Sequence, residues 1–462
     1  MNAQSRPDDR WRFGLWLLTV GVAAFVLRLG YVYFTRNQEV MGDGNYYHLI
    51  AGLLADGEGF IAPEPFLRNG SRIPWAVHPP AWPALLTGPA LLGFRSFTEQ
   101  QSFAAVIGAG TVVMVGLAGR RIAGSRVGII AAVVAAIYPF FWRYERELLS
   151  ETLVLFCVAS VLLFAYSFLA QPSIVRAVAV AGLCGVLALT RAELALLVVA
   201  LLVPLVLVAS TIPLPLRIRW LAIAVAAWAI VLAPWAIYNT ARFDEPVLLT
   251  HTLGYNLSIA NCDLTYSGPR LGFIDDRCIE MRESNGVSAG LDPSSLDAER
   301  RRQGLEYMRE HITRVPIVVL ARIGRAWGIY RPIQQPDLEP DRGTPNSVTW
   351  ASVIGYWVLL PVAVAGAIIL RRARVVLFPL VAFIVIAVIA AALTFGYSRY
   401  RAPAEVSIVL LAAVAVDRVL PRRGRLTTGL PSELPREVVP ASSESTTRVV
   451  PPTSHGGDSG KA

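Results

Sequence analysis

Lysine is all but missing from this chain: among 42 basic residues only Lys461 is lysine, and the rest are arginine. We read that bias as genome composition rather than a ligand preference. Charge of either sign is sparse, 16% against 54% hydrophobic residues, which excludes an ordinary soluble domain of 462 residues. Also lacking are a Walker loop, a GxGxxG turn behind a strand, an HExxH pair and a CxxC pair, so nucleotide, dinucleotide and zinc chemistry have no support. The net charge of +9 does not mark a nucleic-acid binder. Its arginines gather at the ends of apolar runs, and no basic face with interleaved aromatics is present.

What is present is a series of apolar runs of membrane-crossing length. The first, Phe13 to Phe34, is too long for a signal-peptide core and lacks a small-residue cleavage site, so it reads as a retained span. Further runs are 101–118, 127–141, 148–170, 175–189, 194–210, 220–238, 350–370, 375–395 and 406–420. The chain is therefore expected to be an all-α polytopic membrane protein with about ten transmembrane helices. The basic turns "GRRIAGSR", "PLRIRW", "RRAR" and "PRRGR" place both termini in the cytoplasm.

This organisation gives a cytoplasmic N-terminus over residues 1–12, a membrane domain over 13–420 and a tail over 421–462, whose Pro- and Ser-rich composition predicts disorder. Two long segments face outward, 35–100 and 239–349. "GDGNYYHLIAGLLADGEGF" and the proline-broken "PPAWPALLTGPALLGF" predict helices lying at the membrane surface. "RRQGLEYMREHITRVPIVVLARIGRAWGIY" predicts a helix returning to the membrane. Cys157 and Cys184 fall inside spans, whereas Cys262 and Cys278 share the second outward segment, where an oxidising compartment would let them pair.

The ten-span arrangement brings one set of polar residues to the outward side. It comprises Asp43, Tyr46, Tyr47 and His48; His78; Arg143, Glu147 and Glu151; Arg191 and Glu193; Asn239; Arg399 and Arg401. Carboxylates, guanidiniums and aromatics at one lipid boundary suit a substrate with a sugar, a phosphate and a lipid tail.

The ordered elements "GDGNYYHLIAGLLADGEGF", "HPPAWPALL", "LLSETLVLF", "LTRAELALL", "APWAIYNTARFDEPVLLTHTLGYNLSIAN" and "SRYRAPAEVSIVLLAA" resemble the GT-C superfamily of membrane glycosyltransferases. The resemblance is strongest to the branch of protein O-mannosyltransferases and lipid A aminoarabinose transferases, and it covers roughly residues 10 to 420. It implies inverting transfer of a mannose-like or other hexose or pentose from a polyprenyl-phosphate donor to a protein, lipid or glycan acceptor, on the extracytoplasmic side of the cell membrane. It also implies that Asp43 is the general base. The residues agree, since an attacking hydroxyl benefits from a carboxylate and a departing phosphate from guanidiniums.

On this reading His78, Arg191, Arg399 and Arg401 hold the donor phosphate, while Tyr47, Glu151, Asn256 and Asn261 meet the acceptor or sugar. A divalent cation at Glu151 stays open; the sequence calls for no other cofactor. His78 stands where the aminoarabinose branch has a phosphate-binding lysine, and Tyr238 where relatives have arginine, with Arg242 one turn on as a substitute. Structural alternatives accompany these roles. Asp43 would cap the helix that follows; Tyr47 would be an interfacial anchor; Arg143 and Glu147 would form an i,i+4 bridge, with Glu147 and Glu151 on one helical face. Two other functions are compatible with intramembrane charge: a transporter or flippase of a polyprenyl-linked lipid, or a catalytically silent assembly partner of the same fold.

Overall fold

A computed structural model describes residues 7–283, 291–339 and 343–421. The tail expected to be disordered lies, but for Pro421, outside the described residues, as does the first half of the N-terminal segment.

The chain folds into helices: α1 (Pro7–Phe34), α2 (Asp43–Ala55), α3 (Pro63–Asn69), α4 (Ala81–Leu91), α5 (Phe97–Ala123), α6 (Ser125–Ile137), α7 (Pro139–Arg146), α8 (Glu151–Ala170) and α9 (Ile174–Ala188). A 3-10 turn (Ala192–Leu196) and a π turn (Val198–Leu202) lead into α10 (Val203–Leu207) and α11 (Leu214–Thr240). The second outward segment holds α12 (Leu253–Ala260), α13 (Asp263–Tyr266), α14 (Arg277–Glu283), α15 (Pro293–Glu310), α16 (Val315–Ala326) and α17 (Gln335–Leu338). The last part contains α18 (Asn346–Arg372), α19 (Phe378–Leu393), a 3-10 turn (Ser398–Arg401) and α20 (Ala402–Val419). Among the described residues there is no strand, only an isolated bridge between Ile61 and Pro74. The protein is thus an all-α polytopic membrane protein.

Among the described residues five helices are individually long and apolar enough to cross a membrane, and a sixth crossing is made if α6 and α7 act together through their 47° bend. Pro139 causes that bend, because proline removes a helical donor and pushes the preceding Tyr138 into extended backbone. The remaining expected crossings are shorter: α9, the broken piece 192–207, α19 and the 18-residue α20. α5 begins with a capping box in which Ser96 and Glu99 satisfy each other's backbone N–H, and Gly124, at φ +99°, turns it into α6.

Two local expectations change. Glu147 and Glu151 do not share a helical face, because α7 ends at Arg146 and α8 starts at Glu151, with Leu148 between them at φ +53°. The returning helix of the second segment is two helices, α15 and α16, parted by a turn before Pro316, whose ring excludes it from a helix interior. The core is formed by α5, α6, α8 and α20, with α1, α9 and α18 packed around it.

Candidate active site

Asp43 opens α2, and two glycines put it there. Gly42 takes φ +67°, and a Cβ on Gly44 would stand 2.1 Å from the carbonyl oxygen of Glu147, so only glycine lets α2 abut the end of α7. Gly42, not Asp43, occupies the cap position, and no side chain caps the helix. The carboxylate instead meets Arg399, 356 residues away, through its Oδ2, while Oδ1 lies 3.7 Å from Nε2 of His78.

The arrangement continues as a line of alternating charge. Arg399 Nε lies 4.0 Å from Glu151 Oε1, which also accepts from Arg191 Nη1, and Arg191 Nε donates to Glu193 at 2.6 Å. The guanidinium of Arg191 sits 4.8 Å over the ring of Tyr400, in the same turn as Arg399. Ala81 N donates to Leu189 O at 2.8 Å, fixing the "HPPAW" segment to the hairpin that carries Arg191. Five motifs distant in sequence thereby meet at one place.

Exposure grades along this line: Asp43 and His78 keep about a quarter of their side-chain surface (25% and 22%), whereas Glu151 keeps 1%. Burial opposes the charge of Arg399, but Asp43 and Glu151 outweigh it and leave its pKa well above the usual value. Tyr46 and Tyr47 form the aromatic wall, with ring centres 5.2 and 5.0 Å from His78. Burial, with Asp43 adding to it, raises the phenol of Tyr47 far above its ordinary value and keeps it a neutral donor.

Other predicted residues lie elsewhere. Arg401 leaves the cluster: it pairs with Glu405, donates to Ala326 O at 2.7 Å and stacks 3.5 Å from the Tyr356 ring centre. Asn261 is fully committed, donating to Leu257 O and accepting from Tyr266 and Arg322, so a sugar would have to displace three bonds. Asn256 is half-buried on α12, and among the described residues no hydrogen bond joins it to the cluster. Arg242 ties Phe60 O, Trp75 O and Asn239 together and stacks on Tyr238, which makes it a strut for the first outward segment. His48 turns away to Gln100 and Phe97. The bridge between Arg143 and Glu147 is present at 3.1 Å, and Cys262 and Cys278 form a disulfide. Among the described residues no three His, Cys, Asp or Glu side chains are grouped to hold a metal ion.

Sequence reasoning collected Asp43, His78, Glu151, Arg191 and Arg399 on one side but did not pair them. It missed Tyr400 beneath Arg191, which nothing but its place inside "SRYR" would have indicated.

Residues 77–238 match the family of dolichyl-phosphate-mannose-protein mannosyltransferases. That range includes His78, Glu151 and Arg191 and leaves Asp43 and Arg399 outside. No curated protein matches the chain in sequence. Solved structures with a similar course include the oligosaccharyltransferase of Archaeoglobus fulgidus in its apo form, at 14% identity and a TM-score of 0.48, over 87% of this chain and 50% of that one. The archaeal oligosaccharyltransferase AglB from the same organism, in complex with an inhibitory peptide and a dolichol-phosphate, is similar at 14% identity and TM-score 0.48, over 89% and 53%. ArnT from Cupriavidus metallidurans bound to undecaprenyl phosphate is similar at 16% identity and TM-score 0.42, over 87% and 77%. The chain spans about half the length of the two oligosaccharyltransferase chains. The family match over residues 77–238 agrees with the likeness to GT-C membrane glycosyltransferases read from the motifs.

Proposed function

We propose that the protein is a membrane glycosyltransferase that moves a monosaccharide from a polyprenyl-phosphate donor to an acceptor hydroxyl or amine at the extracytoplasmic face, with inversion and with Asp43 as general base. The observation that carries this reading is the meeting of a half-open carboxylate, Asp43, with Arg399 and His78 at the rim of a line of buried charge. The family match over residues 77–238 supports the reaction class.

In the resting arrangement Arg399 occupies Asp43. A donor phosphate offers Arg399 a bidentate partner of higher charge, and His78 and Arg191 lie along the same line to share it. Drawing Arg399 toward the phosphate releases an Asp43 oxygen to accept the acceptor's proton as the anomeric carbon is attacked; the guanidiniums then stabilise the departing phosphate. Glu151 keeps both guanidiniums charged and oriented. Asp43→Asn separates this reading from a lipid flippase. An enzyme should lose about 10²- to 10⁴-fold in turnover while still binding undecaprenyl phosphate, as measured by glycan transfer and lipid binding on the same preparation. Unchanged transfer by Asp43→Asn would remove the base from the reading, and retained lipid translocation without transfer in the unaltered protein would favour a flippase.

A further inference from the structure

The 3-10 turn Ser398–Arg401 has two faces. Arg399 goes to Asp43, while Ser398 and Arg401 line a separate cavity with Arg143, Arg325, Tyr356 and Trp357. Three guanidiniums border this space and no carboxylate does. Their acids sit behind them: Glu147 takes Arg143 Nε, Glu405 takes Arg401 Nε, and Glu339 accepts from Ser398 and Gln335.

These cations retain unused donors. Among the described residues, neither Nη of Arg143 nor Nη2 of Arg401 has a protein hydrogen bond, although the two residues are only 7% and 4% exposed. Arg325 is fully buried, and its partners are all neutral: the carbonyls of Leu271 and Pro269 and the side chains of Gln334 and Gln335. A buried guanidinium with no counter-ion is unfavourable, and an incoming anion relieves it.

The cavity's size and position narrow the anion. At about 30 Å³ it exceeds the ~10–15 Å³ that one water needs and is too small for a sugar. One wall is α18, a membrane-crossing helix, which supplies Tyr356 and Trp357. The lining Trp357 is exposed, as are Ile329 and Ile333, which directly follow the lining residues Gly328 and Pro332, an apolar surface no soluble anion would require.

We infer that this cavity binds the phosphate of a lipid, with the guanidiniums of Arg143, Arg325 and Arg401 on the headgroup and the tail lying along the exposed apolar face of α18. The inference does not rest on the role of Asp43.

The test is lipid binding by the full-length protein in detergent, titrated with undecaprenyl phosphate, with phosphatidylglycerol and with inorganic phosphate. Two variants attack the cavity independently. Val353→Trp fills it from α18 without touching a charge, and Arg143→Gln combined with Glu147→Gln removes both members of one ion pair. Each should weaken lipid binding about tenfold or more, the loss expected for one or two charged hydrogen bonds. A loss confined to undecaprenyl phosphate would mark a polyprenyl-phosphate site, and a loss for both lipids a general phospholipid headgroup site; either supports the proposal. Binding within twofold of the unaltered protein in both variants would overturn it. So would a cavity-dependent signal from inorganic phosphate with none from either lipid.

Discussion

Two of the carboxylate–guanidinium pairs that join distant parts of this chain, Arg28 with Glu145 and Arg399 with Asp43, differ in one respect that separates scaffold from site. Arg28 and Glu145 meet at 2.9 Å with 0% and 1% of their side-chain surface exposed. Arg399 and Asp43 keep 15% and 25%. In the sealed pair the other donors of Arg28 go to the carbonyls of Ala24, Ala135 and Ala136, and a Cβ at Gly108 would come within 1.8 Å of Glu145. No ligand can enter there. In the open pair the same chemistry borders a histidine, two tyrosines and solvent. Charge at the end of an apolar run is therefore not by itself a functional signal; its exclusion from solvent, or access to it, tells which kind it is.

The largest effect that would sharpen this contrast is on stability. Arg28→Ala leaves Glu145 buried and uncompensated between α1, α5 and α7, and should destabilise the protein by about 3–5 kcal/mol, read as a fall in thermal midpoint in detergent. Asp43→Asn, in a half-open pair, should cost about 1 kcal/mol or less by the same measurement. Equal losses in the two variants would erase the distinction between sealed and open pairs.

The next test concerns how the outward segment behind the cluster is held. The disulfide between Cys262 and Cys278 closes a short loop that also carries Tyr266, which with Arg322 fixes Asn261. Replacing both cysteines by serine should cost about 3 kcal/mol on the chain-entropy account. The loss should appear as faster proteolysis of residues 253–283 while the helices around Arg28 and Glu145 stay protected. Uniform loosening of the whole chain would mean that the segment and the bundle are one cooperative unit.

How far the sequence went follows from the physics of each signal. Apolar run length is local, so the helices that cross the membrane were legible, whereas two cysteines in one outward segment permitted a disulfide without deciding it, and packing brings them together. A helix break depends on backbone choices that composition hides. Nothing in "ERELLSE" announced that Leu148 would adopt φ +53° and send Glu147 toward Thr344 and Glu151 toward Arg191. Pairing across the bundle was the least legible. Topology gathered Asp43, Arg191 and Arg399 at one side, but only packing decided that Arg399 joins them while Arg401, two residues on, turns to Glu405. The resemblance carried both arginines to the phosphate because a motif does not state which way each side chain points.

The smallest effect separates two histidines, and pH is the probe. His251 is 7% exposed between Trp75 and Phe243, its Nε2 has no partner, and its backbone N–H donates to Ala76 two residues before His78. Burial lowers its pKa from 6.5 to about 4. Between those values the unfolded chain takes up a proton that the folded chain refuses. Stability is therefore complete above pH 6.5 and falls as pH drops toward 4, by up to about 1.4 kcal/mol per pH unit from this group. His251→Gln should flatten that part of the pH–stability curve without altering it above pH 7. His78→Gln, at a half-open position beside Asp43, should act on donor binding instead. If His251→Gln leaves the acid limb as steep as before, the sealed imidazole is not the group that titrates there, and the rule that closure marks scaffold fails at the place where scaffold and site lie closest together.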